Sequence, residues 1–150
     1  MPNALVLSSG LAALLAQIGL GGGVFEYCVL DPVWPANPAL IQPRRGGLDR
    51  KRFWIPARTV FELSLVIGLV AAWRESEVLA WLVLAAVSHT LLRLWSAVDF
   101  IPEALAVERA DPHAIPADAA RRWTRRSLWR LPLALTTSLA ALAAFAASNP

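Results

Sequence analysis

Four apolar stretches govern what this chain can fold into, and the third of them, Val78–Phe100, buries ionisable groups inside itself. A bilayer's hydrocarbon core is about 30 Å thick and is crossed by about 20 apolar residues in helical form. The stretches at residues 4–30, 56–73, 78–100 and 127–147 reach or approach that length. In hydrocarbon every backbone N–H and C=O must be satisfied internally, so apolar runs of this kind span as helices. The expected fold is all-α, a four-helix transmembrane bundle that makes residues 1–150 one integral membrane domain.

Composition agrees. The chain is 57% hydrophobic and only 17% charged, which separates it from ordinary soluble domains. Cys28 is the sole cysteine, so no internal disulfide forms, and His89 and His113 are the only histidines. No metal site and no cofactor is expected from that inventory. The N-terminal run lacks a basic leader and a small-x-small cleavage pattern, and it reads as a retained first span. Within it Gly19 and Gly23 have the G-x-x-x-G spacing that lets a neighbouring helix approach closely.

The loops set the topology. Residues 31–55 hold Pro32, Pro35, Pro38 and Pro43, which rules out one long helix and suits a cap over the bundle. Trp34, Phe53 and Trp54 fit an interfacial layer there. Pro56 falls in the first turn of the second span, and the short turn Arg74–Glu77 makes spans two and three antiparallel neighbours. Pro102 is read as the end of the third span, and residues 116–126 as an amphipathic surface helix leading into the fourth. Loops 31–55 and 101–126 carry Arg44, Arg45, Arg50, Lys51, Arg52, Arg109, Arg121, Arg122, Arg125 and Arg126, whereas the other side carries only Arg74. The positive-inside rule then makes both loops cytoplasmic and both termini external, in a multi-pass protein of the inner (plasma) membrane. The bilayer accounts for these basic residues, as an anchor to anionic lipid, and no nucleic-acid partner is expected.

With that topology, every span brings charge to the same leaflet: Glu26 from the first, Arg58 and Glu62 from the second, Arg93 and Asp99 from the third, Arg130 from the fourth. If Asp99 marks the boundary, Arg93 lies roughly 9 Å inward and His89 roughly 15 Å, near the midplane. Successive residues turn by about 100°, so His89, Arg93 and Asp99 share an arc of roughly 120°. An unpaired Arg or Asp at a helix centre costs about 2.5–3.5 kcal/mol, so pairing among these groups is expected. One reading is a pocket open to the cytoplasm, with His89 as acid or base, Arg93 as a catalytic partner, and a hydrophobic small molecule as ligand. Another is a set of ion pairs that fixes helix register in an accessory subunit or scaffold. The sequence leaves oligomerisation and enzymatic activity open.

Three segments, VLDPVWPANPALIQPRRGGLDRKRFWIPARTVFELSL, HTLLRLWSAVDFIPEAL and RRWTRRSLWRLPL, together resemble small four-span bacterial membrane proteins of a family that includes anthrone-oxygenase-like proteins. The resemblance extends over nearly the whole chain and is carried by Asp99–Pro102 and Trp123–Arg130. It implies a four-span architecture. It also implies, as one expectation, oxygenation of an aromatic substrate without metal or flavin. In that reaction His89 would remove a proton, and Arg93 or Arg58 would stabilise the resulting anion.

Overall fold

A computed structural model describes residues 2–149. Its regular elements are α1 (Pro2–Phe25), α2 (Lys51–Ala71), α3 (Ser76–Trp95), α4 (Ile101–Arg109), α5 (Ala117–Leu128) and α6 (Leu131–Ala147), with no strand among the described residues. Four helical stretches are long and apolar enough to cross a membrane: Ala4–Leu30, Lys51–Ala71, Ser76–Arg109 and Ala117–Ala147. Only 22–33% of each apolar window is buried inside the protein, so most of that surface faces outward. Val70 and Leu7 are each 72% exposed, and an apolar belt of this kind is stable against lipid rather than water. The protein is an all-α, four-helix transmembrane bundle.

Two prolines behave differently from the sequence expectation. The third span does not stop at Pro102. A π turn at Ser96–Phe100 follows α3, and α4 continues the same helix for a total of 34 residues. The π turn shifts the hydrogen-bond register so that Pro102 falls in the first turn of α4, where a missing N–H costs little. At 1.5 Å per residue the continuous helix is about 51 Å long, so α4 must project beyond the hydrocarbon. The second span begins at Lys51, a turn earlier than expected, and Pro56 lies inside α2. A second π turn, Glu26–Leu30, closes the first span.

The packing is lopsided. Helix α1 packs along α2 and α6, and α6 packs along α3, whereas α2 and α3 touch far less. Their close approach lies near the connecting turn, where Gly68 backs onto Leu82. Farther away the two backbones part, so the short turn makes them sequence neighbours without making them packing partners. Small residues let the other helices close: Ala12, Ala13, Ala16, Ala85, Ala140, Ala141 and Ala144 are buried at the seams. Of the expected Gly19–Gly23 pair only Gly23 is closely approached: a methyl group built there would lie 3.2 Å from Leu131 of α6, whereas nothing lies within 4 Å of one on Gly19. Ser88 Oγ and Thr137 Oγ1 join α3 to α6 at 3.0 Å. Ser9 Oγ and Ser148 Oγ meet at 2.9 Å, which puts the two chain ends at one end of the bundle.

The expected loops 31–55 and 101–126, here loops one and three, build a second layer at the other end. Residues 31–50 form three short 3-10 turns, Trp34–Ala36, Pro38–Ile41 and Pro43–Arg45, instead of a long helix. Trp34 does not float at an interface: it is 1% exposed and packs edge-on against Trp123 of α5 at 5.7 Å. Ile41, Phe100 and Leu30 complete this apolar cluster. Gln42, fully buried, donates to the carbonyls of Val107 at 2.6 Å and Ala110 at 3.0 Å. It thereby satisfies acceptors that the end of α4 leaves free. Amphipathic α5 lies over this cluster, burying Ala120, Trp123 and Thr124 and exposing its arginines.

Candidate functional site

Where α2 and α3 part, the bundle holds a cavity of about 430 Å³ bounded by all four spans. Glu26, Arg58, Glu62, His89, Arg93 and Arg130 all line it, so six of the expected site residues share one wall system. Asp99 does not line the cavity. The π turn at residues 96–100 rotates its side chain off the arc that an unbroken helix would give, and it pairs outward with Arg126 at 3.0 Å. Arg126 also holds Glu103 at 2.9 Å.

The deep wall is a three-residue bridge across the gap. Glu62 Oε1 of α2 lies 3.0 Å from His89 Nε2 and 3.2 Å from Arg93 Nε of α3. Long side chains thus span a distance that the backbones leave open. With Nε2–H donating to Glu62, Nδ1 is left as the basic nitrogen of His89. Phe61, one residue before Glu62, packs edge-on against the imidazole at 4.8 Å and fixes its plane.

The remaining charges follow a different rule from the expected carboxylate pairing. Glu26 accepts from Trp54 Nε1 at 2.8 Å. The Arg58 guanidinium lies over the Trp54 ring at 4.5 Å, and that of Arg130 over Phe100 at 4.1 Å. Arg130 also donates to Ser96 Oγ, Ser127 Oγ and the Ser127 carbonyl. Among the described residues neither arginine has a carboxylate at ion-pair distance. Aromatic faces offset part of the cost of holding them in a membrane protein.

Trp54 is therefore the member that sequence reasoning placed elsewhere, as an interfacial loop residue. The available signal was its spacing: once α2 begins at Lys51, Trp54 and Arg58 are four apart on one helix face. At the loop end, Lys51 of α2 pairs with Glu108 of α4, and both line the cavity. Exposed Ile55 and Ile101 stand on the rim, so the cavity opens sideways between α2 and the α3–α4 helix. Among the described residues no three His, Cys, Asp or Glu side chains gather as a metal-binding group. No family model, curated protein or solved structure matches the chain.

Beside the site, Asp31 follows the first span directly. It is 7% exposed and accepts from Trp34 Nε1 at 3.0 Å. Burial pushes its carboxyl up from the ordinary 3.8 to about 6, against the opposing pull of that hydrogen bond. The folded chain then binds this proton more tightly than the unfolded chain. The contribution to stability is full below the ordinary value and is lost as pH rises through about 6. Asp31→Asn keeps an acceptor for Trp34 and does not titrate. The unfolding midpoint of the wild type minus that of this variant is expected to rise as pH falls across that window, as read by scanning fluorimetry in detergent. A flat difference would show that Asp31 titrates normally.

Proposed function

We propose that this integral membrane protein binds a hydrophobic small molecule in the cavity between α2 and α3, on the side of the bundle where loops one and three lie. The observation that carries this reading is the cavity itself. Ion pairs serving only to fix helix register would fill the interior, whereas here the charged groups stand around about 430 Å³ of space, the size range of small-molecule sites. The charge of the two loops supports a cytoplasmic position for that end and external termini.

Gly19 offers a direct test, since it lines the cavity and a methyl group built on it meets nothing within 4 Å, so a larger side chain starts into open space. Gly19→Phe is expected to fill the space while removing a helix-weakening glycine, so the unfolding midpoint holds or rises. Wild-type protein purified from its own membrane should retain a hydrophobic molecule visible by native mass spectrometry, and the variant should lose it. If the wild type carries nothing and no quinone, polycyclic ketone or single-chain lipid probe shifts its midpoint, the binding reading fails.

A second reading is favoured by one contact, the His89–Glu62 pair on the cavity wall. A carboxylate that orients an imidazole makes it a general base, and Arg58, with no carboxylate partner, is better placed than Arg93 to receive a developing oxyanion. This fits the anthrone-oxygenase-like resemblance, in which an aromatic ketone's CH2 becomes C=O and O2 supplies one oxygen to product and one to water. Anthrone oxidation followed with an oxygen electrode should then fall by about 100-fold or more in His89→Gln. No turnover by the wild type removes this reading and leaves binding untouched.

Orientation has its own readout. In a Cys28→Ala background, Arg74→Cys is expected to react with an impermeant maleimide in intact cells, and Arg44→Cys only after permeabilisation. The reverse pattern would invert the topology.

A further inference from the structure

We propose that the cavity takes an anionic amphiphile, one hydrocarbon or ring body ending in a carboxylate or phosphate, with the anion held by Arg58 and Arg130. This rests on the reading that the cavity binds a hydrophobic molecule, and it adds the charge and the attachment point.

The carboxylates of the wall are already engaged. Glu62 serves His89 and Arg93, and Glu108 holds Lys51, whereas Glu26 takes only the neutral Trp54 N–H and lies beyond ion-pair distance of either remaining arginine. On the basic side, Arg58 makes no hydrogen bond among the described residues and meets only the π face of Trp54. Arg130 bonds to hydroxyls and one carbonyl, all of them neutral acceptors. Two guanidinium groups therefore border the same space with no counter-charge at ion-pair distance. A guanidinium offers parallel N–H donors that match the paired oxygens of a carboxylate or phosphate. An anion brought to them would supply a counter-charge in direct contact, and charge-assisted bonds are the strong ones.

The rest of the lining sets the body of the ligand. Leu15, Leu20, Leu92, Leu131 and Ala134 contribute an apolar surface. A space of about 430 Å³ holds one body of drug-like size. The opening between α2 and the α3–α4 helix lets such a body enter from within the leaflet. Its headgroup then travels near the loop end, past the Lys51–Glu108 pair, instead of crossing the hydrocarbon.

The test compares dodecyl phosphate, dodecanol and inorganic phosphate on full-length protein in phosphatidylcholine nanodiscs, by calorimetry. Dodecyl phosphate is expected to bind about tenfold tighter than dodecanol or better, and inorganic phosphate far more weakly than either. Arg58→Gln and Arg130→Gln should each erase most of the advantage over dodecanol while dodecanol affinity stays. Arg58→Lys should keep part of it, and Arg125→Gln on the exposed face of α5 should keep all of it. Gly19→Phe blocks the space with both arginines intact, so it should abolish binding of both amphiphiles even if an arginine variant folds poorly. Equal affinity for dodecanol and dodecyl phosphate, or an advantage that survives both Gln variants, overturns the proposal and leaves the hydrophobic pocket standing. No binding of either amphiphile overturns the proposal too, and removes the pocket reading with it when the wild type also retains no molecule from its membrane and answers to none of the other probes. Displacement of dodecyl phosphate by phosphatidylglycerol added to the nanodisc overturns the single-body form and assigns the anion site to a bilayer phospholipid.

Discussion

Glu62 is the group on which the site's architecture turns. Its carboxylate receives both His89 and Arg93, and so joins α2 to α3 at the level where their backbones have separated. Such a gap between two helices normally closes, because dispersion contacts favour close packing. Here long side chains carry the link instead of short ones, and the space behind them stays open. Small residues on α1, Ala16, Gly19 and Gly23, line the facing wall and add no bulk to fill it. The cavity is thus the joint product of large polar residues on one pair of helices and small ones on another.

The arginines show how a low-dielectric setting changes the choice of partner. Carboxylate pairing was the natural expectation for Arg58 and Arg130, yet both rest on aromatic rings. A ring face attracts a guanidinium without neutralising it. That arrangement keeps charge available, whereas a direct ion pair would consume it. Arg93, by contrast, has the Glu62 carboxylate at 3.2 Å, so the two halves of the polar cluster are not equivalent.

Much of the fold was legible in the sequence because hydrocarbon length and backbone satisfaction leave few options. The four spans, the broken character of loop one and the amphipathic helix before the fourth span all follow from apolar runs, prolines and arginine spacing. The level of the polar cluster was legible for the same reason: charges at matched distances from matched boundaries must meet. What misled was local register. Pro102 looked like a stop, and only the π turn before it explains why the helix continues. The same extra residue moved Asp99 to the outer face, so an arc computed at constant pitch held for His89 and Arg93 and failed one turn later. Trp54 was missed because Pro56 looked like the helix start. The sideways separation of α2 and α3 had no sequence signal, since their four-residue turn suggests intimacy.

The order of packing, α2 on α1, α1 on α6, α6 on α3, makes the bundle resemble a book. Its two leaves are the α1–α2 and α3–α6 pairs, bound along the alanine-rich α1–α6 spine. The width of the cavity is then the opening angle of the leaves. Across the fore-edge the leaves are held by the α2–α3 turn, where Gly68 meets Leu82, and by the reach of Glu62 to His89 and Arg93, so the length of that one side chain gauges how far the book stands open.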